Sequence, residues 1–118
     1  MVSAAGVKPG EHVLEIGPGT GVLTVALLRR GARVTAVETD PRCLEKLRTL
    51  PYPRLTPVEG DILRTELRAV TEPGTKVVAN IPYHITGILL RTLLPRGNRI
   101  SSVTLMVQSE IAGRLVAV

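Results

Sequence analysis

Three glycines at alternate positions, Gly17, Gly19 and Gly21, form the stretch best suited to hold a small ligand. They follow the short, mostly apolar run 13–16 and precede 22–30, which contains no helix breaker. A strand, a glycine turn and a helix in this order direct the free N–H groups of the helix terminus at a ligand. Glycine also lets the backbone approach that ligand closely, because it has no Cβ. The segment therefore predicts a nucleotide-like cofactor.

Four apolar segments in succession end in residues that could contact a ligand. Glu15 and Gly17 lie at the end of the first segment, and Glu38, Asp61 and Asn80 lie at the ends of the next three. In an open α/β sheet, ligands bind at the carboxyl ends of the strands, near the point where strand order reverses. One acid in such a position is usually a helix cap or a solvated turn residue, whereas four such positions in succession indicate a site.

Segments with strand character alternate with segments with helical character. Strands are predicted at about 12–16, 33–38, 54–59, 76–81 and 102–108. Helices are predicted at about 22–30, 41–50, 62–70, 85–94 and 109–118, the last capped by Ser109. Asp40 and Pro41 mark the start of the second helix, as an N-cap residue and a proline at the first helical position. The alternation predicts one α/β domain, an open parallel sheet with helices on both faces.

The composition restricts the class of protein. A chain of 118 residues is expected to form a single domain. Cys43 is the single cysteine, which excludes an internal disulfide and makes the cytoplasm the expected compartment. No apolar run reaches the ~18 residues that cross a bilayer, and no signal peptide pattern is visible. The two histidines, His12 and His84, lack partners at ligand spacing, so no metal site is predicted.

The charge balance allows a nucleic-acid partner. The net charge is +5, and 12 of the 15 basic residues are arginine. Arginine binds phosphate in a bidentate way, although solvated surface arginines account for the charge equally well. Tyr52 and Tyr83 are the only aromatic residues, so most of any stacking on a base falls to Tyr83.

The glycine turn discriminates between cofactor classes. A dinucleotide site needs Gly-x-Gly-x-x-Gly, but counting from Gly17 the sixth position is Val22, which makes a dehydrogenase a distant alternative. The acid-x-Gly-x-Gly-x-Gly pattern from Glu15 to Gly21 instead resembles motif I of S-adenosylmethionine-dependent methyltransferases. The predicted cofactor-binding residues are Glu15, Gly17, Gly19, Gly21, Glu38, Asp61, Ile62 and Asn80.

Each acid has a role that suits this cofactor. The Glu38 carboxylate can accept both ribose hydroxyls, because its two oxygens match their paired donors. Asp61 can accept from the adenine amine, and the backbone N–H of Ile62 can face a ring nitrogen. Three carboxylates, with Glu15 as the third, also suit a cationic sulfonium.

Asn80-Ile81-Pro82-Tyr83 predicts the reaction, because it lies between a strand and a helix at the rim of the site. Methylation of an exocyclic purine amine requires the nitrogen lone pair to be released from the ring. The Asn80 side-chain oxygen and the Ile81 carbonyl can accept the amine hydrogens and favour a tetrahedral nitrogen. Pro82 fixes how that carbonyl is presented, and Tyr83 offers a face for the unstacked base. Positioning and electrostatics then suffice without a strong base.

The sequence resembles the KsgA-type rRNA adenine dimethyltransferase family, which methylates adjacent adenosines of small-subunit rRNA. The matching segments are 13–24, Glu38, Gly60-Asp61, 80–83 and 105–115. The resemblance implies a Rossmann-like methyltransferase fold, cofactor contacts from Gly17, Glu38, Asp61 and Asn80, and a target-amine site at 80–83. It also implies a partner in the small ribosomal subunit. Ser109 and Gly113 depart from the family, in which Lys and Glu are common at those positions.

The family also contains segments with no counterpart in these 118 residues. Members carry an N-terminal Gln-Asn-Phe-Leu motif, two further strands and a C-terminal helical RNA-binding domain. The chain is therefore expected to be a partial domain with weak activity of its own. Its strand 102–108 is expected to be an exposed edge prone to self-association, whereas a complete protein would be monomeric. Two alternatives stay open: an Erm-type enzyme acting on large-subunit rRNA, and a non-catalytic fragment that binds cofactor or RNA.

Overall fold

The computed structural model describes residues 6–82, 85–93, 99–108 and 114–117, which form a six-stranded sheet and its covering helices. The strands are β1 (His12–Ile16), β2 (Arg33–Glu38), β3 (Leu55–Glu59), β4 (Thr75–Pro82), β5 (Ile100–Gln108) and β6 (Arg114–Ala117). The helices are α1 (Val22–Arg29), α2 (Pro41–Arg48), α3 (Leu67–Val70) and α4 (Thr86–Leu93), with a 3-10 turn at Ile62–Arg64.

The strand order is β3-β2-β1-β4-β5-β6, with β1 to β5 parallel and β6 antiparallel to β5. The order reverses between β1 and β4, where an open α/β sheet leaves its ligand crevice. Pro57 lies in β3, and it is tolerated there because β3 is an edge strand. The predicted open α/β fold with a parallel sheet is confirmed.

Helices cover both faces of the sheet. On one face, called the α1 face, Leu27 and Leu28 of α1 and Leu47 of α2 pack against Val13 and Val34. On the other, the α4 face, residues of α3 and α4 pack against the sheet: Leu67, Val70, Leu89 and Leu93 against Leu14, Val77 and Ala79. Burial on both sides explains why the central strands read as nearly continuous apolar runs.

Two predicted helices differ from the structure. Residues 114–117, assigned to a last helix, form β6 and pair with β5 from Thr104 to Val107. The predicted helix 109–118 is wrong for 114–117, because the local cap signal of Ser109 contains no information about pairing with β5. Residues 109–113 lie outside the described residues. The expectation that β5 is an exposed edge is therefore also wrong, since β6 covers it.

The second difference is in 62–70, which contains two short elements instead of one helix. Each has its own N-cap: Asp61 accepts from the N–H of Leu63, and Glu66 accepts from the N–H of Arg68. Thr65 and Glu66 are extended and separate the two elements.

Across the described ranges, no helix has the length and apolar character of a membrane-spanning segment.

Candidate functional site

Gly17 follows β1 and lies against the end of β4, at the point where the strand order reverses. Its φ is +69°, a conformation that side chains disfavour, and its N–H donates to the Val37 carbonyl at 3.1 Å. A Cβ on Gly17 would lie 2.7 Å from the backbone oxygen of Asn80. The main chains of the two strands are thus in direct contact here, and only glycine fits between them.

The strand register brings three predicted site residues to one face. Glu15 lies opposite Ala36 of β2 and opposite Val78 of β4. Glu38 and Asn80 are each two residues further along those strands, so both point to the same face as Glu15. This is the α1 face, and it is reached at the carboxyl end of the sheet, which is defined by Gly17, Glu38 and Asn80.

The glycine turn, residues 17–21, is held by hydrogen bonding to the side chain of Glu38. The N–H of Gly19 donates to Oε1 of Glu38 at 3.0 Å, and the other oxygen accepts from the N–H groups of Thr39 and Asp40 at 2.9 and 3.0 Å. Three backbone donors therefore fix the orientation of a carboxylate that is only 8% exposed. Sequence reasoning anticipated Glu38 as a ligand contact, but it did not anticipate that Glu38 also holds the turn.

Gly21 ends the turn and begins α1. Its φ is +87°, its N–H donates to the Pro18 carbonyl at 3.0 Å, and no side chain caps the helix. The N-terminal N–H groups of α1 therefore lack a side-chain acceptor of their own, and they lie beside the carboxyl end of β1. Such a helix terminus attracts negative charge.

Glu15 is buried within the domain and bonded to a residue that sequence reasoning missed. Its side chain is 1% exposed, and its Oε1 accepts a hydrogen bond of 2.5 Å from the hydroxyl of the equally buried Thr24. Burial raises the pKa of Glu15 from 4.5 to about 7; the Thr24 hydrogen bond opposes this rise and the charge of Glu38 adds to it. The sequence feature that could have identified Thr24 is its position, since it is a small polar residue three positions after Gly21 in an otherwise apolar helix.

Asp61 and Ile62 follow β3 next to Glu38. The N–H of Gly60 donates to the Glu38 carbonyl at 3.0 Å, which places the Asp61 turn beside the end of β2. Asp61 is exposed, and its Oδ1 accepts from the N–H of Leu63 at 3.0 Å, so the structure gives it the role of a helix cap. Ile62 is buried in the core of the α4 face, where its side chain anchors the turn.

The segment Asn80-Ile81-Pro82 belongs to β4 and does not follow it. Its residues pair with Met106, Val107 and Gln108 of β5. Asn80 is half-buried on the α1 face, whereas Ile81 is buried in the core of the α4 face. Tyr83, the predicted stacking residue, lies outside the described residues, as does His84.

The amino end of the sheet, defined by His12, Arg33 and Thr75, carries a different kind of polar network. His12 bonds to Thr75 through Nδ1 at 2.8 Å and to Thr35 through Nε2 at 2.9 Å. Arg33 bonds both oxygens of Glu72, at 2.5 and 2.8 Å. In the part of the chain that the structure describes, no group of three metal-ligating side chains occurs.

The whole chain matches one protein family. The model of the family described as ribosomal RNA adenine dimethylase matches residues 1–118. Among curated relatives, ribosomal RNA small subunit methyltransferase A of Mycobacterium avium is 47% identical, over 99% of this chain and 39% of its own. The protein of the same name from Deinococcus radiodurans is 48% identical, over 99% of this chain and 40% of its own. The chain thus spans about two fifths of the length of these relatives.

Solved structures agree with this match. The crystal structure of the 23S rRNA methyltransferase ErmE superposes with a TM-score of 0.77 at 33% identity, over 93% of this chain and 44% of that one. A dimethyladenosine transferase from Plasmodium falciparum gives the same TM-score of 0.77 and 33% identity, over 93% of this chain and 40% of that one.

Proposed function

Since the chain belongs to the ribosomal RNA adenine dimethylase family, we propose that it is the cofactor-binding core of an rRNA adenine N6-methyltransferase. Its methyl donor is S-adenosylmethionine, and its substrate is the exocyclic amine of adenosine in small-subunit rRNA, which places the reaction in the cytoplasm. The observation that carries the proposal is the convergence of Glu15, Gly17, Glu38 and Asn80 at the carboxyl end of three adjacent strands.

The charge of the site fits a sulfonium nucleoside. Glu15 and Glu38 point to the same face from neighbouring strands, and their recorded partners are a hydroxyl and backbone N–H groups. Within the described ranges, no lysine, arginine or histidine bonds the side chain of Glu15 or Glu38, so no side-chain cation of these ranges neutralises them. A cationic ligand can provide the missing positive charge.

Glu38 would hold the ribose. Because three backbone N–H groups already fix this carboxylate, its remaining acceptor capacity has a defined direction, and little side-chain entropy is lost when a hydroxyl binds. Asp61 uses Oδ1 for its cap, and its second oxygen would accept from the adenine amine. The N–H of Ile62 would face the ring, held in place by the buried Ile62 side chain.

Asn80 and Ile81 would position the target amine. The bound cofactor supplies an electrophilic methyl group, and the chain supplies acceptors that orient the nucleophile. The Asn80 side-chain oxygen and the Ile81 carbonyl would accept the amine hydrogens, so that the nitrogen lone pair turns out of conjugation and towards the methyl group. Pairing with β5 holds this part of the main chain in place. Tyr83 would stack on the extruded base. Catalysis then consists of positioning and electrostatics.

The cofactor assignment is tested by calorimetric titration of the chain with S-adenosylmethionine. Glu38→Gln should weaken binding by about 10- to 100-fold, since a hydrogen bond to a charged group contributes ~1.5–3 kcal/mol. Glu59→Gln is the matched control, because exposed Glu59 lies opposite Glu38 in the β2–β3 register, and it should change affinity by less than about twofold. Equal binding by wild type and Glu38→Gln would contradict the proposal.

An Erm-type activity on large-subunit rRNA is the second candidate, supported by the superposition on ErmE. We favour the small-subunit substrate because the relatives at 47% and 48% identity carry that name, whereas ErmE is 33% identical. The test uses a full-length relative in which this chain replaces the corresponding segment. Methyl transfer by that protein is measured on small-subunit particles and on 23S rRNA, and transfer to one of the two substrates separates the candidates. A binding fragment without activity would show cofactor affinity and no transfer to either RNA.

A further inference from the structure

The Glu15–Thr24 pair lies behind the glycine turn, and the proposed function uses the charge of Glu15 but neither its hydrogen bond to Thr24 nor its protonation. Glu15 is in the middle of the sheet, on β1 between β2 and β4. Thr24, in the first turn of α1, is 0% exposed and donates its hydroxyl proton to Oε1 of Glu15. A carboxyl group with this degree of burial is costly to ionise unless a cation or several donors compensate.

Among the residues that the structure describes, the charged groups around Glu15 do not include such a cation. From β2, Glu38 faces the same side and disfavours a second negative charge. On β4, the ammonium of Lys76 is bound to the Gly6 carbonyl and to Glu11 at the amino end. On α1, Arg29 lies in the last turn, at the opposite end of the helix from Thr24. Accordingly, the pKa of Glu15 is raised to about 7 by burial, against which the Thr24 hydrogen bond acts.

We propose that Glu15 selects for the charged, methyl-bearing form of the cofactor: it holds a proton in the free protein at mildly acidic pH and releases that proton when a sulfonium binds. The inference rests on the proposed function and deepens it. The O–H bond of Glu15 breaks, the proton passes to the solvent buffer, and the carboxylate that remains is compensated by the sulfonium charge. The demethylated product has a neutral thioether, so Glu15 keeps its proton when that product binds.

The proposal predicts a pH-dependent affinity that is specific to the charged ligand. If Glu15 titrates near pH 7 in the free protein and is ionised in the complex, linkage gives about 0.9 protons released per ligand at pH 6 and about 0.1 at pH 8. The affinity for S-adenosylmethionine then rises about tenfold from pH 6 to pH 8 because of Glu15. The thioether product should show none of this Glu15-dependent rise.

The experiment is isothermal titration of the chain at pH 6 and pH 8 in buffers of different ionisation enthalpy, with S-adenosylmethionine and with S-adenosylhomocysteine. Wild type and Glu15→Gln are compared, because the ligand's own amino group contributes equally to both and cancels in the difference. We expect the proton release at pH 6 to disappear in Glu15→Gln for the sulfonium ligand only. At pH 8, where Glu15 is mostly ionised in the free wild type, the preference for the sulfonium over the thioether should also fall by at least about 100-fold in Glu15→Gln, since ionisation in the complex at pH 6 requires a pKa at least about two units below 7.

Thr24 is the positioning residue of this pair and has its own test. Thr24→Val removes the hydroxyl at constant volume and should move the midpoint of proton release to higher pH, whereas Thr24→Ser keeps the donor and should leave it near the wild-type value. A change in packing alone would alter affinity without moving this midpoint. Carboxyl-carbon NMR of the free wild type gives the same quantity without ligand, and a Glu15 titration below pH 5 would overturn the proposal.

The outcomes distinguish a failure of the role of Glu15 from a failure of the proposed cofactor binding. Equal proton release in wild type and Glu15→Gln, or equal release for both ligands, overturns the role of Glu15 while cofactor binding still supports the proposed function. Absence of binding of either ligand to wild type overturns the proposed function, and this inference with it.

Discussion

The two ends of the central sheet treat charge in opposite ways. At the amino end, charged side chains pair with each other: Arg33 with Glu72, and Lys76 with Glu11. At the carboxyl end, the acidic side chains of Glu15 and Glu38 are bonded to a hydroxyl and to backbone N–H groups. The difference indicates that the amino end completes its own electrostatics within the domain, whereas the carboxyl end leaves negative charge for a ligand to balance.

Among substitutions that test the difference between the two ends, Gly17→Ala is expected to have the largest effect. The new Cβ would meet the Asn80 oxygen at 2.7 Å with φ at +69°, so strain and overlap together should cost about 4 kcal/mol of unfolding free energy. Gly31→Ala is the matched control at the amino end, where the Cβ would lie 2.9 Å from the Pro9 side chain with φ at +96°.

Both glycine variants should lower the denaturant midpoint. Only Gly17→Ala should also weaken S-adenosylmethionine binding in the fraction that remains folded, because Gly31 is remote from the carboxyl end. If Gly31→Ala weakens binding as much as Gly17→Ala, the two ends are not functionally distinct.

A somewhat smaller effect is expected from Glu15→Gln, measured as unfolding free energy in urea from pH 4 to pH 8. Because the folded-state pKa of Glu15 is raised from 4.5 to about 7, the folded protein binds this proton more tightly than the unfolded chain. Stability from this group is fully present below pH 4.5 and is lost as pH rises through about 7. Glu15→Gln should therefore be more stable than wild type by about 3 kcal/mol at pH 8, with no such gain at pH 4. A pH-independent difference would contradict the burial of an uncompensated acid.

His12 should give the smallest effect, with the opposite sign. Burial lowers the pKa of His12, an effect to which Arg33 adds and which Glu72 opposes. The unfolded chain then binds the proton more tightly, so stability is present above about pH 6.5 and is lost as pH falls. His12→Gln loses two hydrogen bonds and should be less stable at every pH, but its unfolding free energy should fall less than that of wild type from pH 7 to pH 5. A steeper fall in the variant would show that the amino end is not the acid-sensitive one.

Features set by local chemistry could be predicted from the sequence. The bounds predicted for β1 and β2 agree with the structure, because central parallel strands are apolar on both faces and end at glycine or an acid. The start of α2 follows from Asp40 and Pro41, and Asp40 does accept from the N–H of Arg42. The strand-end acids share one edge because parallel strands require it.

Features set by distant partners could not be predicted. The assignment of 114–117 to β6 depends on pairing with β5, which the local sequence alone does not identify. The bonds of Glu38 to Gly19 and of Glu15 to Thr24 link residues that only the folded turn brings together. For the same reason, the sequence identified acids that suit a ligand but did not show which of them also support the scaffold.

The main-chain contact between Gly17 and Asn80 has a further consequence for how this site can change. The turn that would cradle the methyl donor and the strand end that would orient the methyl acceptor touch without an intervening side chain, so a larger residue at position 17 would displace one against the other. Donor and acceptor geometry are therefore inherited together.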